Sequence, residues 1–389
     1  MLKAVKIRLK PTPEQEVLFW KSAGVARWSY NYYVGLCEAA YKAGEKRPYE
    51  GDVRKHINNT LKKTTHTWLK EVGSNVMKQA VKDADAAYKR YFKGLGGRPK
   101  FKTKHRSKIS FYVNYESLVR KNGGFHGEKI GFVKTTQPLP KLTKGEKHYS
   151  NPRISYDGKY WYLSLGYEAA EPKDVGLTGE TIGVDLGIKE LAVCSNGMKF
   201  KNINKTRRVR SLEKRLRREG RKLSRKMEAN TEGHIKRGKG QAPIWKRPLR
   251  ECCNIGRQNG VVRRIHKKLT DIRTNHVHQT TAAIVKTKPS KVVLEDLNVK
   301  GMMKNRHLSR AVACEKFSEF RRQMEYKTKF LGIELVIADK FYPSSKKCSC
   351  CGHIKKDLKL KERTYVCPEC GLMIDRDYNA SINLANYGT

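Results

Sequence analysis

The chain has 389 residues, room for about two to four domains at the usual 100–200 residues each. It carries 83 Lys and Arg against 37 Asp and Glu, a formal net charge of +46. With 38% hydrophobic residues a core can form, which excludes a wholly disordered chain, and no apolar run approaches the roughly 18 residues of a membrane-spanning helix. The opening MLKAVKIRLKPTPEQ has no apolar block and no small-residue cleavage site, so no signal peptide is expected. Such a charge surplus repels itself in a compact state. A polyanion relieves that repulsion and releases its own counterions, so nucleic acid is the expected partner rather than a membrane surface.

In chain order, residues 3–9 (KAVKIRL) alternate and predict a strand. Thr12, Pro13 and Gln15 then form a capping-box pattern with proline at the first helical position. The helix they open runs to about residue 43 and holds Trp20, Trp28, Tyr30, Tyr32 and Tyr33, expected as bundle core. Residues 52–64 and 74–93 predict further helices. In the second, Val76, Ala80, Ala84, Ala87 and Tyr91 mark an apolar face, while Lys78, Lys82, Lys89 and Arg90 decorate the others. The glycines and proline of 94–99 break that helix. Strand-like runs follow at 109–114, 125–133, 152–156 and 160–167, with Asp157-Gly158 as a two-residue hairpin signal. A barrel-like β-module over 108–170, joined by the N-terminal strand, is expected.

Beyond residue 180 the pattern becomes strand, long helices and strand again. Residues 181–185 (TIGVD) predict a buried strand ending on Asp185, and 191–194 a second. Residues 201–226 hold 13 Lys and Arg but only two Glu, around an apolar stripe of Val209, Leu212, Leu216, Leu223 and Met227. A charge of nearly one sign on such a helix points to phosphate contact by Arg207, Arg208, Arg210, Lys214, Arg215, Arg217, Arg218, Arg221 and Lys222. Residues 227–250 read as an exposed connection, 255–286 as a helix, and 291–294 as a buried strand ending at Glu295. A helix over 308–330, a strand over 332–338 and a terminal helix from near Asp377 complete the chain.

Two constellations carry chemistry. Among ten cysteines, Cys348, Cys351, Cys367 and Cys370 have C-x2-C-x15-C-x2-C spacing, with Gly352 and Gly371 after each pair. Two such turns complete a tetrahedral thiolate shell with no open position, the signature of structural Zn²⁺. Cys350 competes for a place, but its spacing from Cys348 is too tight for the usual knuckle. Asp185, Glu295 and Asp377 stand at two strand ends and a helix start, where a sheet edge can gather them. Clustered carboxylates repel without a cation. Mg²⁺ suits oxygen ligands, and two ions about 4 Å apart can activate water and stabilise the leaving oxygen of a phosphodiester. Asp296 and Asp375 are the rival acids.

The segments IGVDLGIKELAVCSNG, VVLEDLNVKGM, YPSSKKCSCCG and CPECGLMIDRDYNASINLANYG resemble the split RuvC-type nuclease of the transposon-encoded TnpB family, related to type V CRISPR effectors such as the compact Cas12f. ARWSYNYYV, GRPKFKTK and KYWYLSL agree more loosely. The resemblance implies a multidomain α+β chain. Residues 1–10 and 100–175 would form a WED-like β-barrel module and 11–99 a helical REC-like module. An RNase H-like (RuvC) α/β nuclease would occupy 176–346 and 373–389, with a zinc ribbon inserted at 347–372.

The same resemblance implies an RNA-guided, Mg²⁺-dependent DNA endonuclease that cuts beside a short flanking motif with a single RuvC site. Asp185, Glu295 and Asp377 match the catalytic, magnesium-binding acids. Asp377 is preferred to Asp375 as the second Asp of the D-x-D-x-N-A/G motif. Cys348, Cys351, Cys367 and Cys370 match the zinc ligands, and Lys78 and Gln79 fall on the helix facing DNA. The implied partners are a guide RNA from the transposon end and double-stranded target DNA, with one protein per RNA and no membrane. The implied setting is a prokaryotic cytoplasm, at the nucleoid. A compact CRISPR effector of the same fold, or a catalytically silent RNA-guided regulator, are the alternatives.

Overall fold

The computed structural model describes residues 2–388, apart from 105–106, 144, 147, 170–175, 238–239, 250 and 360–361. The chain divides into two units, residues 1–170 and 171–389.

In the first unit the alternating N-terminal run forms β1 (Leu2–Lys10), with Ile7 and Leu9 turned into the core. Thr12 then caps α1 (Pro13–Lys42): its hydroxyl accepts from the Gln15 amide, and the Gln15 side chain accepts in return from the Thr12 N–H at 3.1 Å. Helices α2 (Glu50–His56), continued by a π-helical turn over Ile57–Leu61, and α3 (Ser74–Phe92) follow. Strands β2 (Ile109–Tyr112), β3 (Val119–Lys121), β4 (Gly124–Gly127), β5 (Gly131–Thr135), β6 (Ser150–Tyr156) and β7 (Trp161–Glu168) complete the unit. They join β1 in an antiparallel sheet of order β2-β6-β7-β1-β5-β4-β3, with β1 pairing β7 from Leu2↔Glu168 to Arg8↔Tyr162. One core fuses sheet and helices, with Phe19 of α1 against Trp161 of β7 at 5.1 Å. Each such buried ring contributes about 1.5–3 kcal/mol.

Three local expectations change here. The single strand-like run at 125–133 is two antiparallel strands, β4 and β5, joined through residues 128–130. The β6–β7 loop spans residues 157–160 rather than two residues, because the Asp157 carboxylate accepts from the Lys159 and Tyr160 amides and holds a wider turn. The buried face of α3 is also rotated. It uses Met77, Val81 and Tyr88 alongside Val76, Ala80 and Ala84, and leaves Tyr91 38% exposed.

The second unit begins with β8 (Thr178–Asp185), β9 (Glu190–Cys194) and β10 (Lys199–Lys201), then α4 (Arg207–Ala229). After α4 come β11 (Thr231–Arg237), β12 (Gly240–Trp245), α5 (Cys253–Lys286) and β13 (Pro289–Glu295). Helices α6 (Val299–Met302), α7 (Ser309–Glu315) and α8 (Phe317–Leu331) lead to β14 (Glu334–Ala338). Strands β15 (Thr364–Val366) and β16 (Met373–Asp375) precede α9 (Arg376–Ala385). The central sheet has the order β10-β9-β8-β13-β14, with β8, β13 and β14 parallel.

Side chains alternate across the sheet. Val292 and Leu294 pack with Phe317, Phe320 and Met324 of α8, whereas Val293 packs with Leu384 of α9 on the other side. The apolar stripe of α4 packs on α5 through Val209, Leu212, Leu216, Ile265 and Leu269.

Two further expectations change. Residues 231–237 and 240–245 pair as antiparallel strands within the expected exposed connection; Gly233, Gly240 and Pro243 mask their alternation. The helix expected over 308–330 is split at Lys316, which sits in the left-handed region at φ 58°.

Candidate functional site

Strands β8 and β13 run parallel in the register Val184↔Leu294, so the next residues, Asp185 and Glu295, end neighbouring strands at the same sheet edge. The third acid arrives on α9. A Cβ on Gly183 would stand 2.0 Å from the Ser381 carbonyl and 2.3 Å from the Ala385 nitrogen, so only glycine lets α9 lie this close to β8. That packing carries the first turn of α9, with Asp377, to the same edge. The three carboxylates interact: burial most of all, then Glu295 and then Asp377, pushes Asp185 well above the usual carboxylate range, and Arg376 opposes the shift. Glu295 is raised by burial and by Asp377, while the Ser344 hydroxyl, which donates to its Oε1, acts the other way.

Asp377 is held from both sides. Its Oδ1 accepts from Arg376 at 3.0 Å, and its Oδ2 lies 3.7 Å from Arg363. The rival acids have other occupations. Asp375 caps α9, accepting from the Asp377 and Tyr378 amides. Asp296 pairs with Arg321 at 2.6 Å. A cleft of about 510 Å³ opens beside Glu295, with Lys300, Arg321, Arg322 and Lys340 among its lining.

The cysteines converge as well. Cys348 Sγ lies 3.6 Å from Cys370 Sγ, and Cys351 Sγ 3.5 Å from Cys367 Sγ, with all four within 4.8 Å of one another. Cys350 is exposed and outside the cluster. Gly352 and Gly371 take φ of 77° and 71° to close the two knuckle turns. Backbone N–H groups of Cys370 and Glu369 favour the Cys367 thiolate and bring it down to about 6. This donor set is compatible with structural zinc. Among the described residues it is the one such group of three or more ligand atoms drawn together this way.

The two clusters are tied together. Buried Asn379 accepts from the Ser349 amide and donates to the Lys347 carbonyl, while buried Asn383 donates to the Ser344 and Lys347 carbonyls. Helix α9 therefore fixes both the segment entering the cysteine module and Ser344, which touches Glu295. Sequence reasoning passed over Gly183, Ser344, Arg363, Arg376, Asn379 and Asn383. The signal was present, because a short acidic segment also rich in asparagine (DRDYNASIN) offers amides for backbone carbonyls.

The cations of α4 expected to meet phosphate, Arg207, Arg208, Arg210, Lys214, Arg215, Arg217, Arg218, Arg221 and Lys222, are all exposed. Arg218 and Lys222 approach Glu219 at 3.6 Å. Lys78 and Gln79 belong to the other unit, half-buried on α3, where Gln79 donates to Asp83.

Three family descriptions match the chain: "Cas12f1-like, TNB domain" over residues 317–384, the OrfB_IS605 "Probable transposase" over 164–306, and its "Helix-turn-helix domain" over 1–46. In this chain residues 1–46 hold a strand and one long helix. A Streptomyces pristinaespiralis protein named "Putative RNA-guided DNA endonuclease" is 30% identical over 394 residues, covering 99% of this chain and 89% of its own. InsQ of Escherichia coli K12, of the same description, is 25% identical across 100% of this chain and 92% of its own. The CRISPR-associated endodeoxyribonuclease Cas12f1 of Sulfoacidibacillus thermotolerans is 24% identical across 64% of this chain and 55% of its own. The Cas12f1 chain in a cryo-EM complex with sgRNA and target DNA superposes with a TM-score of 0.50 at 14% identity, covering 100% of this chain and 99% of that one, which shows a shared mixed α+β fold.

Proposed function

The chain belongs to the TnpB family of RNA-guided DNA endonucleases, and on that premise we propose that it cleaves target DNA at the sheet edge bearing Asp185, Glu295 and Asp377. The observation that carries this reading is the convergence of three carboxylates from separate segments: beyond burial, Asp185 is raised by the charges of Glu295 and Asp377, and Glu295 by that of Asp377. In this reading residues 176–346 and 373–389 make an RNase H-like (RuvC) nuclease, with the cysteine module of 347–372 as its zinc ribbon. Residues 11–99 are a REC-like module, and 1–10 with 100–175 a WED-like one.

Crowded, partly buried carboxylates are hard oxygen donors whose repulsion a divalent cation relieves, so the set fits Mg²⁺. Asp185, Glu295 and Asp377 would hold it, and when bound it would supply Lewis-acid activation of water and of the scissile phosphate. The chain's own residues do the positioning. Ser344 fixes one oxygen of Glu295, and Arg376 and Arg363 hold Asp377. Lys300 and Lys340 give the adjoining cleft a positive rim that suits a phosphodiester strand. The exposed cations of α4, with Lys78 and Gln79 on α3, are proposed nucleic-acid contacts.

The partners in this reading are one guide RNA, drawn from the transposon end, and duplex DNA with a short flanking motif, bound by a single protein chain. None of the described helices is long and apolar enough to cross a membrane. A prokaryotic cytoplasm, at the nucleoid, is the proposed setting. The test is to express the protein with its native flanking DNA, sequence the RNA that copurifies, and supply a plasmid matching that guide. Wild-type protein is expected to cut it, and Glu295→Ala to bind the same RNA without cutting. Cutting by Glu295→Ala at the wild-type rate contradicts the assignment.

A further inference from the structure

The far ends of α1 and α3, with the glycine-rich segment after α3, leave large side chains in solvent. Tyr41 is 73% exposed, Phe92 69%, Leu95 65% and Phe101 48%. Such groups gathered in one place mark an interaction surface. They are physically connected. The Arg98 guanidinium lies 5.0 Å from the centre of the Tyr41 ring. Phe92 stacks on Tyr88 at 6.3 Å, and the Tyr88 ring meets Tyr33 of α1 at 6.4 Å. Tyr41, Arg98, Lys100 and Phe101 line an open cleft of about 420 Å³.

The charge decides the occupant. Residues 89–104 contain seven Lys and Arg and no Asp or Glu, and the cleft itself sets one acid, Glu38, against Lys42, Arg98 and Lys100. Neither Arg98 nor Lys100 is in an ion pair among the described residues. A second copy of the chain would bring the same surplus to the contact, and an apolar peptide would leave the cations unanswered. A nucleic-acid duplex keeps its base faces inside its own stack. An unpaired strand offers both complements, base faces for the rings and phosphates for the cations. We propose that this patch is a stacking platform for unpaired nucleotides of a nucleic-acid strand, with bases on Tyr41 and Phe92 and the phosphodiester backbone along Arg98 and Lys100. The inference rests on reading the chain as a nucleic-acid-binding protein and is independent of the carboxylate edge.

The test uses the full-length protein with labelled oligouridylate, oligothymidylate and a blunt RNA duplex, titrated across a salt series. The double variant Tyr41→Ala/Phe92→Ala is expected to weaken single-strand binding about tenfold or more and to leave duplex binding unchanged. Its salt slope should match wild type. Tyr41→Trp/Phe92→Trp should bind as wild type does, because stacking needs a ring and not a hydroxyl. Arg98→Ala/Lys100→Ala should instead lower the salt slope by about one to two. Both rings are exposed, so an unchanged melting temperature is expected for the alanine pair. A larger loss for oligouridylate identifies RNA as the occupant, and one for oligothymidylate identifies DNA; either supports the platform. Equal binding by the alanine pair and wild type overturns it, as does an equal loss for duplex and single strand. A wild-type dimer that the alanine pair dissolves overturns it in favour of a second copy. Failure of wild-type protein to bind any of the three probes overturns the nucleic-acid reading as well, which separates the two failures.

Discussion

The four cysteines all lie within residues 348–370, and two glycine-closed turns bring their sulfurs within 4.8 Å. The carboxylates at 185, 295 and 377 belong to β8, β13 and α9, so their meeting depends on strand register and on one helix–strand contact. The thiolates come from local geometry and the acids from the whole fold of the second unit. A cluster built locally is broken by losing a ligand; one built globally can be broken far from any ligand. The two are nevertheless linked, through the amides of Asn379 and Asn383.

The largest effect is expected from Asp185→Ala, which should bring guided DNA cleavage down to background while RNA binding stays at wild-type affinity, as read by a plasmid assay beside a filter-binding assay. Gly183→Ala comes next and sharpens the comparison, because it touches no carboxylate. The new Cβ meets backbone of α9, which cannot rotate away. Overpacking of about 1–3 kcal/mol is expected in chemical denaturation, with cleavage lost as Asp377 moves. Unaltered stability and cutting would show that α9 does not set the edge.

Cys367→Ser should lower bound zinc below one equivalent and lower the melting temperature, with a smaller loss of cleavage transmitted through Asn379 and Asn383. Full metal content and an unchanged melt would contradict a structural zinc site, and loss of zinc with wild-type cleavage would break the link between the two clusters. The smallest effect concerns Glu315, buried beside Asn204, which donates to it at 3.0 Å, and raised by burial to about 7. Below its unfolded value of 4.5 the acid is protonated in both states. Between 4.5 and 7 the folded form holds the proton more tightly, so stability falls as pH rises through that window. Glu315→Gln should therefore melt above wild type at pH 8 and lose that advantage towards pH 4.5. A constant difference across the range would show that the carboxyl does not titrate there.

How legible each part was follows the same division. The cysteine spacing, the Thr12 cap and the α4 stripe are local patterns, and the structure contains each as a local feature. Segment ends pointed to the three acids, but what gathers them was hidden: Gly183 looks like any strand glycine until α9 lies on it. The left-handed Lys316 and the pairing of 231–237 with 240–245 were missed because lysine gives no break signal and Pro243 argues against a strand. The rotation of the α3 face reflects its neighbours, since Tyr88, not Tyr91, packs beside Tyr33 of α1, with ring centres 6.4 Å apart.

The most direct measurement sets two neighbours against each other: guided plasmid cleavage by Asp377→Asn and by Asp375→Asn. Asparagine can still cap α9 at 375, so that protein should cut within a few-fold of wild type, whereas Asp377→Asn should not cut above background. Wild-type cutting by Asp377→Asn would contradict the carboxylate edge as the active site.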